Sequence, residues 1–335
     1  MRKDPSSLFR IQYRLALMTS LLAFCVVLLG AYVRLSDAGL GCPDWPGCYG
    51  QMVVPSDASE VDSSTRPLDQ SKAWKEMIHR YMAGSLGLFI LLLTLLAWSN
   101  RQMARQPLIL PGILLLLVVF QALLGMWTVT LQVKPAIVTA HLLGGFATLA
   151  LLWLLTLRLR PVSYMHTVST SIPLRRWIYF SLLILVIQVM LGGWTSSNYA
   201  ALGCIDFPTC YANQWWPEMD FKEAFVIWRG LGINYEFGVL EAEARTAIHV
   251  THRLGALLTL IILGTLALWL TRNKSERGLQ SVGYLLTLIL TLQIVLGITN
   301  VLGHLPLYVA VAHNGGAAIL LLILVTLIWI SRQRE

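Results

Sequence analysis

The sequence predicts an all-α integral membrane protein whose eight transmembrane helices form two four-helix bundles related by a pseudo-twofold axis. Three observations predict this class. Of the 335 residues, 56% are hydrophobic and only 13% are charged, whereas a soluble domain carries about 25% charged residues. Apolar runs of about 20 residues, enough to cross a bilayer as a helix, recur along the chain. The motifs of the first half also return, in the same order, in the second half.

The apolar runs define the eight predicted helices. These helices cover residues 12–34, 77–98, 107–128, 135–158, 174–196, 246–271, 280–301 and 306–331. The first run is long for a signal peptide, and no small-residue cleavage site stands out before Arg34. We therefore interpret this run as the first transmembrane helix.

The basic residues of the chain ends and short connections predict the orientation. Lys and Arg in short loops mark the cytoplasmic side of a membrane protein. One side of the predicted bundle carries Arg2, Lys3, Arg10, Arg14, Arg101, Arg105, Arg158, Arg160, Arg175, Arg176, Arg272, Lys274, Arg277, Arg332 and Arg334. We therefore expect both termini in the cytoplasm and the two long segments, 35–76 and 197–245, outside. The net charge of +8 then reflects topology, and no nucleic-acid partner is expected.

An internal repeat divides the chain into two units, which we expect at 1–165 and 166–335. The stretch from Gly30 to Cys42 aligns with the stretch from Gly192 to Cys204. Further matches pair Cys48 with Cys210, His79-Arg80 with His252-Arg253, Gln121 with Gln293, and His141 with His313. Because each unit has four helices, an even number, both units have the same orientation in the membrane. The repeat is therefore parallel, with its axis along the membrane normal.

Four histidines at repeated positions are candidate metal ligands. Ionisable side chains within membrane helices are costly and usually functional, and histidine is the commonest metal ligand. His79, His141, His252 and His313 all lie near predicted helix starts on the outer side. At 1.5 Å per residue they are roughly 3–10 Å deep. Two histidines on facing helices of one bundle can hold a heme iron between them.

Other interpretations of the histidines remain at this point. A single histidine in a membrane helix can be an ordinary packing residue with a hydrogen bond, and a bare metal ion is a weaker alternative to heme. His166 and His304 lie in or near loops and are interpreted as residues without a catalytic role. Arg80 and Arg253 directly follow two of the candidate ligands, and we expect them to meet heme propionates.

The repeat differs at one ionisable position. Glu76 stands three residues before His79, and His249 occupies the matching place before His252. A carboxylate beside a heme can move protons or stabilise a developing cation. The alternative is a glutamate that is favoured at a helix start by the helix dipole. If the first interpretation is correct, the two halves of the chain have different functions.

Two cysteine pairs lie in the segments predicted to be outside, where disulfides form and persist. Cys42 and Cys48 form the first pair, and Cys204 and Cys210 form the second. We expect two structural disulfides, each restraining its loop by ~2–3 kcal/mol in the chain-entropy model. Redox-active thiol pairs are the alternative.

Three features occur together in this chain: the segment Glu76-Met-Ile-His79-Arg80, the two cysteine loops, and the glycine pairs after His141 and His313. In this combination the chain resembles the heme A synthase family over nearly its whole length. The resemblance implies oxidation of the methyl group of heme O to a formyl group, which gives heme A for terminal oxidases. It implies that His252 and His313 hold a resident heme b, that His79 and His141 ligate the substrate heme, and that Glu76 is the catalytic carboxylate.

The resemblance also implies a bacterial inner-membrane location and a set of partners. Heme O is the expected substrate, and heme O synthase, oxidase assembly proteins, an unidentified electron acceptor and membrane lipid are the expected partners. Two functions of another class are the alternatives, and the first of them would use the same four histidines. One is a diheme b-type electron-transfer cytochrome, and the other is a heme carrier or oxidase assembly factor without catalysis. The electron-transfer cytochrome would not need Glu76.

Overall fold

The structure is a computed structural model that describes residues 5–57, 66–103, 106–160, 171–211, 213–272 and 277–332. These residues form nine α-helices and no β-strand. The helices are α1 (Pro5–Leu35), α2 (Gln70–Ser99), α3 (Ile109–Thr130), α4 (Pro135–Arg158), α5 (Ile172–Ser197), α6 (Phe221–Ala224), α7 (Ala242–Arg272), α8 (Arg277–Leu302) and α9 (Leu307–Ser331). All but α6 are long and apolar enough to cross a membrane. The predicted all-α class with eight spans is therefore confirmed.

Some sequence-based predictions fall outside the described residues. These are the unit boundary at 165/166, the loop residue His166, and the basic residues Arg2, Lys3, Arg105, Lys274 and Arg334. His304 is described, and it lies in the turn between α8 and α9.

The helices that carry His79 and His252 begin earlier than their apolar runs. α2 begins at Gln70 rather than at residue 77, and the Asp69 side chain accepts a hydrogen bond from the Lys72 backbone N–H at 3.0 Å. Such an N-cap sets a helix start independently of hydrophobicity. α7 begins at Ala242 rather than at residue 246, with Glu243 in its first turn. Both helices therefore include polar turns that a search for apolar runs does not detect.

Each half of the chain closes into a ring of four contacting helices. In the first half, α1 contacts α2 and α4, and α3 contacts the same two helices. In the second half, α5 contacts α7 and α9, and α8 contacts the same two helices. Consequently α2 and α4 lie diagonally opposite each other, as do α7 and α9. The halves meet through α1, α4, α5 and α9. A pseudo-twofold axis would explain this matching pattern, and it stays a prediction.

The surface of the helices is strongly apolar. Large side chains such as Leu88, Leu116 and Leu288 are 64–73% exposed. A water-soluble protein rarely exposes so much contiguous apolar surface. The exposed leucines are therefore suited to contact lipid chains.

We call the side of the bundle where α2, α4, α7 and α9 begin the loop side, because it carries the long connections 36–69 and 198–241. The second connection reaches over the first half. The Tyr235 backbone N–H donates to the Gln132 carbonyl at 3.2 Å, and Arg66 forms an ion pair with Glu236. The buried Lys134 Nζ donates to the carbonyls of Arg229 and Gly230 at 2.6 and 2.8 Å. The two halves are thus tied together on the loop side.

Candidate functional site

The four candidate histidines form two pairs across the diagonals of the rings. His79 on α2 and His141 on α4 lie within electrostatic range of each other, as do His252 on α7 and His313 on α9. All four side chains are half-buried. Among the described residues, Nε2 of each imidazole has no hydrogen-bond partner. Each pair therefore presents two free ring nitrogens from opposite helices of one bundle.

A glycine on a neighbouring helix makes room for each imidazole. The pairs are His79 with Gly30 on α1, His141 with Gly125 on α3, His252 with Gly192 on α5, and His313 with Gly297 on α8. A Cβ added at Gly30, Gly192 or Gly297 would stand 3.0–3.3 Å from the Cε1 atom of its histidine, closer than ordinary contact, and one at Gly125 would stand at 3.5 Å. Each ring thus lies directly on the backbone of the adjacent helix.

The other ring nitrogen, Nδ1, has different surroundings in the two halves. His313 Nδ1 lies 3.1 Å from the Gln293 carbonyl, and His252 Nδ1 lies 3.1 Å from the Gln188 side-chain amide. His79 Nδ1 is buried without a hydrogen bond, whereas His141 lies against the backbone of Gln121, the first-half counterpart of Gln293. A hydrogen bond from Nδ1–H fixes the tautomer in which Nε2 can bind a metal. His252 on α7 therefore has a side-chain partner that its first-half counterpart, His79 on α2, lacks.

These observations test whether heme fits the residues present. Two imidazoles from diagonally placed helices lie within electrostatic range of each other in an apolar bundle, and such a histidine pair is a common way to hold a heme. The described His, Cys, Asp and Glu side chains form no group of three or more that could hold a metal ion. The donor set in each half therefore suits an iron that already has four other ligands.

Glu76 is buried at the loop side of the first-half pair. Its Oε1 accepts a hydrogen bond from Arg80 Nη2 at 2.5 Å, and its Oε2 accepts one from the Cys42 backbone N–H at 2.9 Å. Only 4% of the residue is exposed. Both oxygens are therefore engaged, and the carboxylate connects α2 to the first cysteine loop.

His249 makes the matching contact in the second half with a neutral ring. The Cys204 backbone N–H donates to His249 Nδ1 at 3.0 Å. A neutral imidazole that accepts at Nδ1 carries its proton on Nε2. Arg253 Nε lies 3.3 Å from this Nε2, but the protonated nitrogen offers it no lone pair. Both halves thus anchor the cysteine loop through the same position, and the first half alone puts a negative charge there.

Arg80 and Arg253 point their guanidinium groups at the cysteine loops. Arg80 donates to the carbonyls of Pro46 and Gly47 as well as to Glu76. Arg253 donates to the carbonyls of Thr209, Cys204 and Asp206 at 2.7–3.2 Å. The expectation that these arginines bind heme propionates stays a prediction.

The structure contains both expected disulfides, Cys42–Cys48 and Cys204–Cys210. The four bridged cysteines are 0–2% exposed. Each bridged loop lies over the helix whose arginine, Arg80 or Arg253, donates to its carbonyls. Such burial is typical of structural bridges.

Gln188 is a site residue that the sequence analysis missed. A signal for it was present, because Gln188 stands four residues before Gly192, as Gln121 does before Gly125 and Gln293 before Gly297. The first half has Val26 four residues before Gly30. Gln121 and Gln293 match each other between the halves, whereas Gln188 has no glutamine counterpart in the first half.

Comparisons with known proteins agree with this geometry. The family model described as cytochrome oxidase assembly protein matches residues 13–325. A heme A synthase from Shewanella oneidensis is 46% identical over 314 residues, which cover 92% of this chain and 93% of the relative. Heme A synthases from Alkalihalophilus pseudofirmus and Bacillus cereus are each 26% identical, over 89–90% of this chain and 86–90% of theirs. The chain therefore belongs to the heme A synthase family of cytochrome oxidase assembly proteins.

Proposed function

We propose that the protein is a multi-pass membrane enzyme of heme A biosynthesis, which oxidises a methyl group of heme O to a formyl group. The observation that carries this proposal is the 46% identity to a heme A synthase over 92% of the chain. The structure supports it with two histidine pairs in matching bundles. Among the residues that the structure describes, only the first pair stands beside a buried carboxylate.

His252 and His313 are the residues that would hold a resident heme b. Both have Nδ1 within hydrogen-bond distance of a neighbouring helix, and both have Nε2 free. When bound there, heme b supplies reversible one-electron transfer. The protein contributes the orientation of both imidazoles and an apolar bundle around them.

His79 and His141 would ligate the substrate, heme O. His79 Nδ1 has no partner, so this ring is less restrained than that of His252. Weaker restraint suits a site that must bind a substrate heme and later release a product heme. Converting a methyl group into a formyl group removes electrons and protons from the carbon and adds one oxygen atom. An electron acceptor and a source of oxygen must therefore meet the protein.

Glu76 would be the catalytic carboxylate. It lies three residues before His79 on α2, so both side chains share one side of the helix. A buried negative charge stabilises positive character on the reacting carbon far better than it would in water. The second half anchors its loop through His249 instead, which indicates that the anchoring contact alone does not require a carboxylate.

The test is to replace Glu76 and identify the hemes bound to the purified protein. Glu76→Gln removes the charge, and Glu76→His places the residue of the second half in the first. With a heme O supplier present, the parent protein should contain heme A and heme b. Both variants should retain heme b and accumulate heme O or a partly oxidised product, because loss of the charge affects only the first site. The matched control is His249→Gln, which alters the equivalent position of the other half.

A normal rate of heme A formation in both Glu76 variants would contradict the catalytic role. A protein that carries heme b in both halves, and never heme O or heme A, would be a diheme cytochrome instead. A protein that binds heme O unchanged would be a carrier. Mass analysis of the extracted hemes therefore separates the three functions.

A further inference from the structure

We propose that Gln188 is a positioning residue for His252, and that its side-chain amide makes the second-half heme site a retaining site while the first-half site exchanges its heme. This proposal rests on the proposed function, in which His252 is an axial ligand of the resident heme. It adds a residue on α5 that holds the ligand from outside the iron's own coordination sphere.

The contact is specific and partly buried. Gln188 Nε2 lies 3.1 Å from His252 Nδ1 and 3.1 Å from the His252 backbone carbonyl. The amide sits in space left by the missing side chain of Gly255, because a Cβ there would stand 2.3 Å from Gln188 Oε1. Any other residue at 255 would push the amide away from the imidazole. The glutamine and the glycine thus form a matched pair between α5 and α7.

The first half lacks both members of this pair. Val26 occupies the place of Gln188, four residues before the glycine that contacts the histidine, and Met82 occupies the place of Gly255. As a result, His79 Nδ1 is buried without a hydrogen bond. The two halves therefore differ in how they hold the histidine of α2 and the histidine of α7.

The amide is suited to fix the ligating tautomer of His252. Binding iron through Nε2 requires the proton on Nδ1, and Nδ1–H then needs an acceptor. Gln188 Oε1 is such an acceptor, and in the orientation described it is buried with no partner. The oxygen and nitrogen of an amide exchange places by a half-turn. After that turn Oε1 accepts from Nδ1–H, in place of the hydrogen bond that Gln188 Nε2 now donates to the His252 carbonyl. That carbonyl keeps the hydrogen bond of its own helix.

Both second-half ligands are then held by a neighbouring helix. His313 donates from Nδ1–H to the Gln293 carbonyl on α8, and His252 donates to the Gln188 side chain on α5. A ligand histidine with such a partner is more basic and more firmly oriented, and loss of the partner typically weakens metal affinity by about 10–100-fold. A resident cofactor benefits from this restraint, whereas a substrate heme that must leave as product does not.

The experiment compares Gln188→Met with Gln293→Met in the full-length, heme-loaded protein. Both changes remove a buried amide that packs on a glycine, Gly255 or Gly316, with little change in volume. Only Gln188 contacts its histidine through the side chain, since His313 is held by the backbone carbonyl of residue 293. Two properties are measured: the midpoint potential of heme b, and the rate at which apomyoglobin extracts it.

Gln188→Met should raise the heme b potential and speed extraction at least tenfold relative to Gln293→Met, because the imidazole loses electron density and orientation. Gln188→Glu keeps a hydrogen-bond acceptor for His252 Nδ1–H and should lower the heme b potential. This variant provides a second measurement if the methionine variant does not fold. The proposal is overturned if Gln188→Met has the same heme b potential and extraction rate as Gln293→Met. It is also overturned if Gln188→Glu leaves the potential unshifted. His252→Ala is run in parallel: if it keeps the parent heme b spectrum, the ligand assignment of the proposed function fails instead.

Discussion

At the loop-side end of α2, the Glu76 carboxylate accepts hydrogen bonds from Arg80 and from the Cys42 backbone. At the matching end of α7, the His249 ring accepts from the Cys204 backbone, and Arg253 turns to three loop carbonyls. The structural contact is shared, and the charge differs. A buried ion pair is costly to form and gives little net stability. Its presence in one half only is therefore better explained by chemistry than by folding.

The four histidines give a second prediction at the residue scale. Changing His252 or His313 to alanine should remove the bis-histidine signature of heme b, because the iron loses one axial bond. His79→Ala and His141→Ala serve as matched controls and should keep heme b while losing heme O binding. The reduced absorption spectrum, together with mass analysis of extracted heme, checks both statements. An unchanged spectrum in either second-half variant would remove that pair from the ligand set.

At the scale of elements, the cysteine loops join the helix ends to the site. The bridge between Cys42 and Cys48 closes the loop whose first amide binds Glu76. A bridge that closes so short a loop restrains the unfolded chain by ~2–3 kcal/mol in the chain-entropy model. The loop is therefore expected to control how firmly Glu76 is held.

Replacing both Cys42 and Cys48 by serine should lower the melting temperature and slow heme A formation, since the Cys42 amide no longer holds Glu76 in one place. Heme b content should stay at the parent level, because the second half is untouched. The corresponding double change at Cys204 and Cys210 is the matched control, and we expect it to weaken heme b retention instead. Equal effects of the two double variants on both hemes would show that the loops stabilise the protein without serving separate sites.

The helices themselves show where apolar pattern is informative and where it is not. α4 has the predicted bounds, Pro135–Arg158, because an N-terminal proline and the apolar run coincide. α2 and α7 begin earlier, within polar sequence: Asp69 caps the start of α2, and α7 has Glu243 in its first turn. Hydrophobicity thus locates the part of a helix that lipid covers, while capping decides where the helix begins.

On the scale of the whole molecule, the membrane orientation stays a prediction with a direct test. Most basic residues lie on the side opposite the long loops, which predicts cytoplasmic termini. Alkaline phosphatase fused after Glu335 should be inactive in a bacterial host, and the same reporter inserted in the 198–241 loop should be active. Fusions with the opposite activities would reverse the topology and place both cysteine pairs in a reducing compartment.

The amino-acid sequence by itself determined the class of the protein, its eight spans, the order of the repeat and the candidate site residues. Length and hydrophobicity suffice for the spans, because a helix in lipid must satisfy its own backbone. Position in the repeat suffices for the four histidines, Glu76 and the cysteines, because matching and non-matching residues are both visible in one chain.

Only the tertiary structure decided which helices are neighbours and what each site residue touches. Lipid chains are as apolar as leucine, so an apolar stripe on one helix does not determine which helix packs against it. Close packing depends instead on small residues and single polar contacts. Three features depend on such packing. They are the diagonal placement of α2 with α4 and of α7 with α9, the hydrogen bond from Cys42 to Glu76, and the contact of Gln188 with His252. Each of them joins residues far apart in the sequence, through a choice of neighbours that hydrophobicity leaves open.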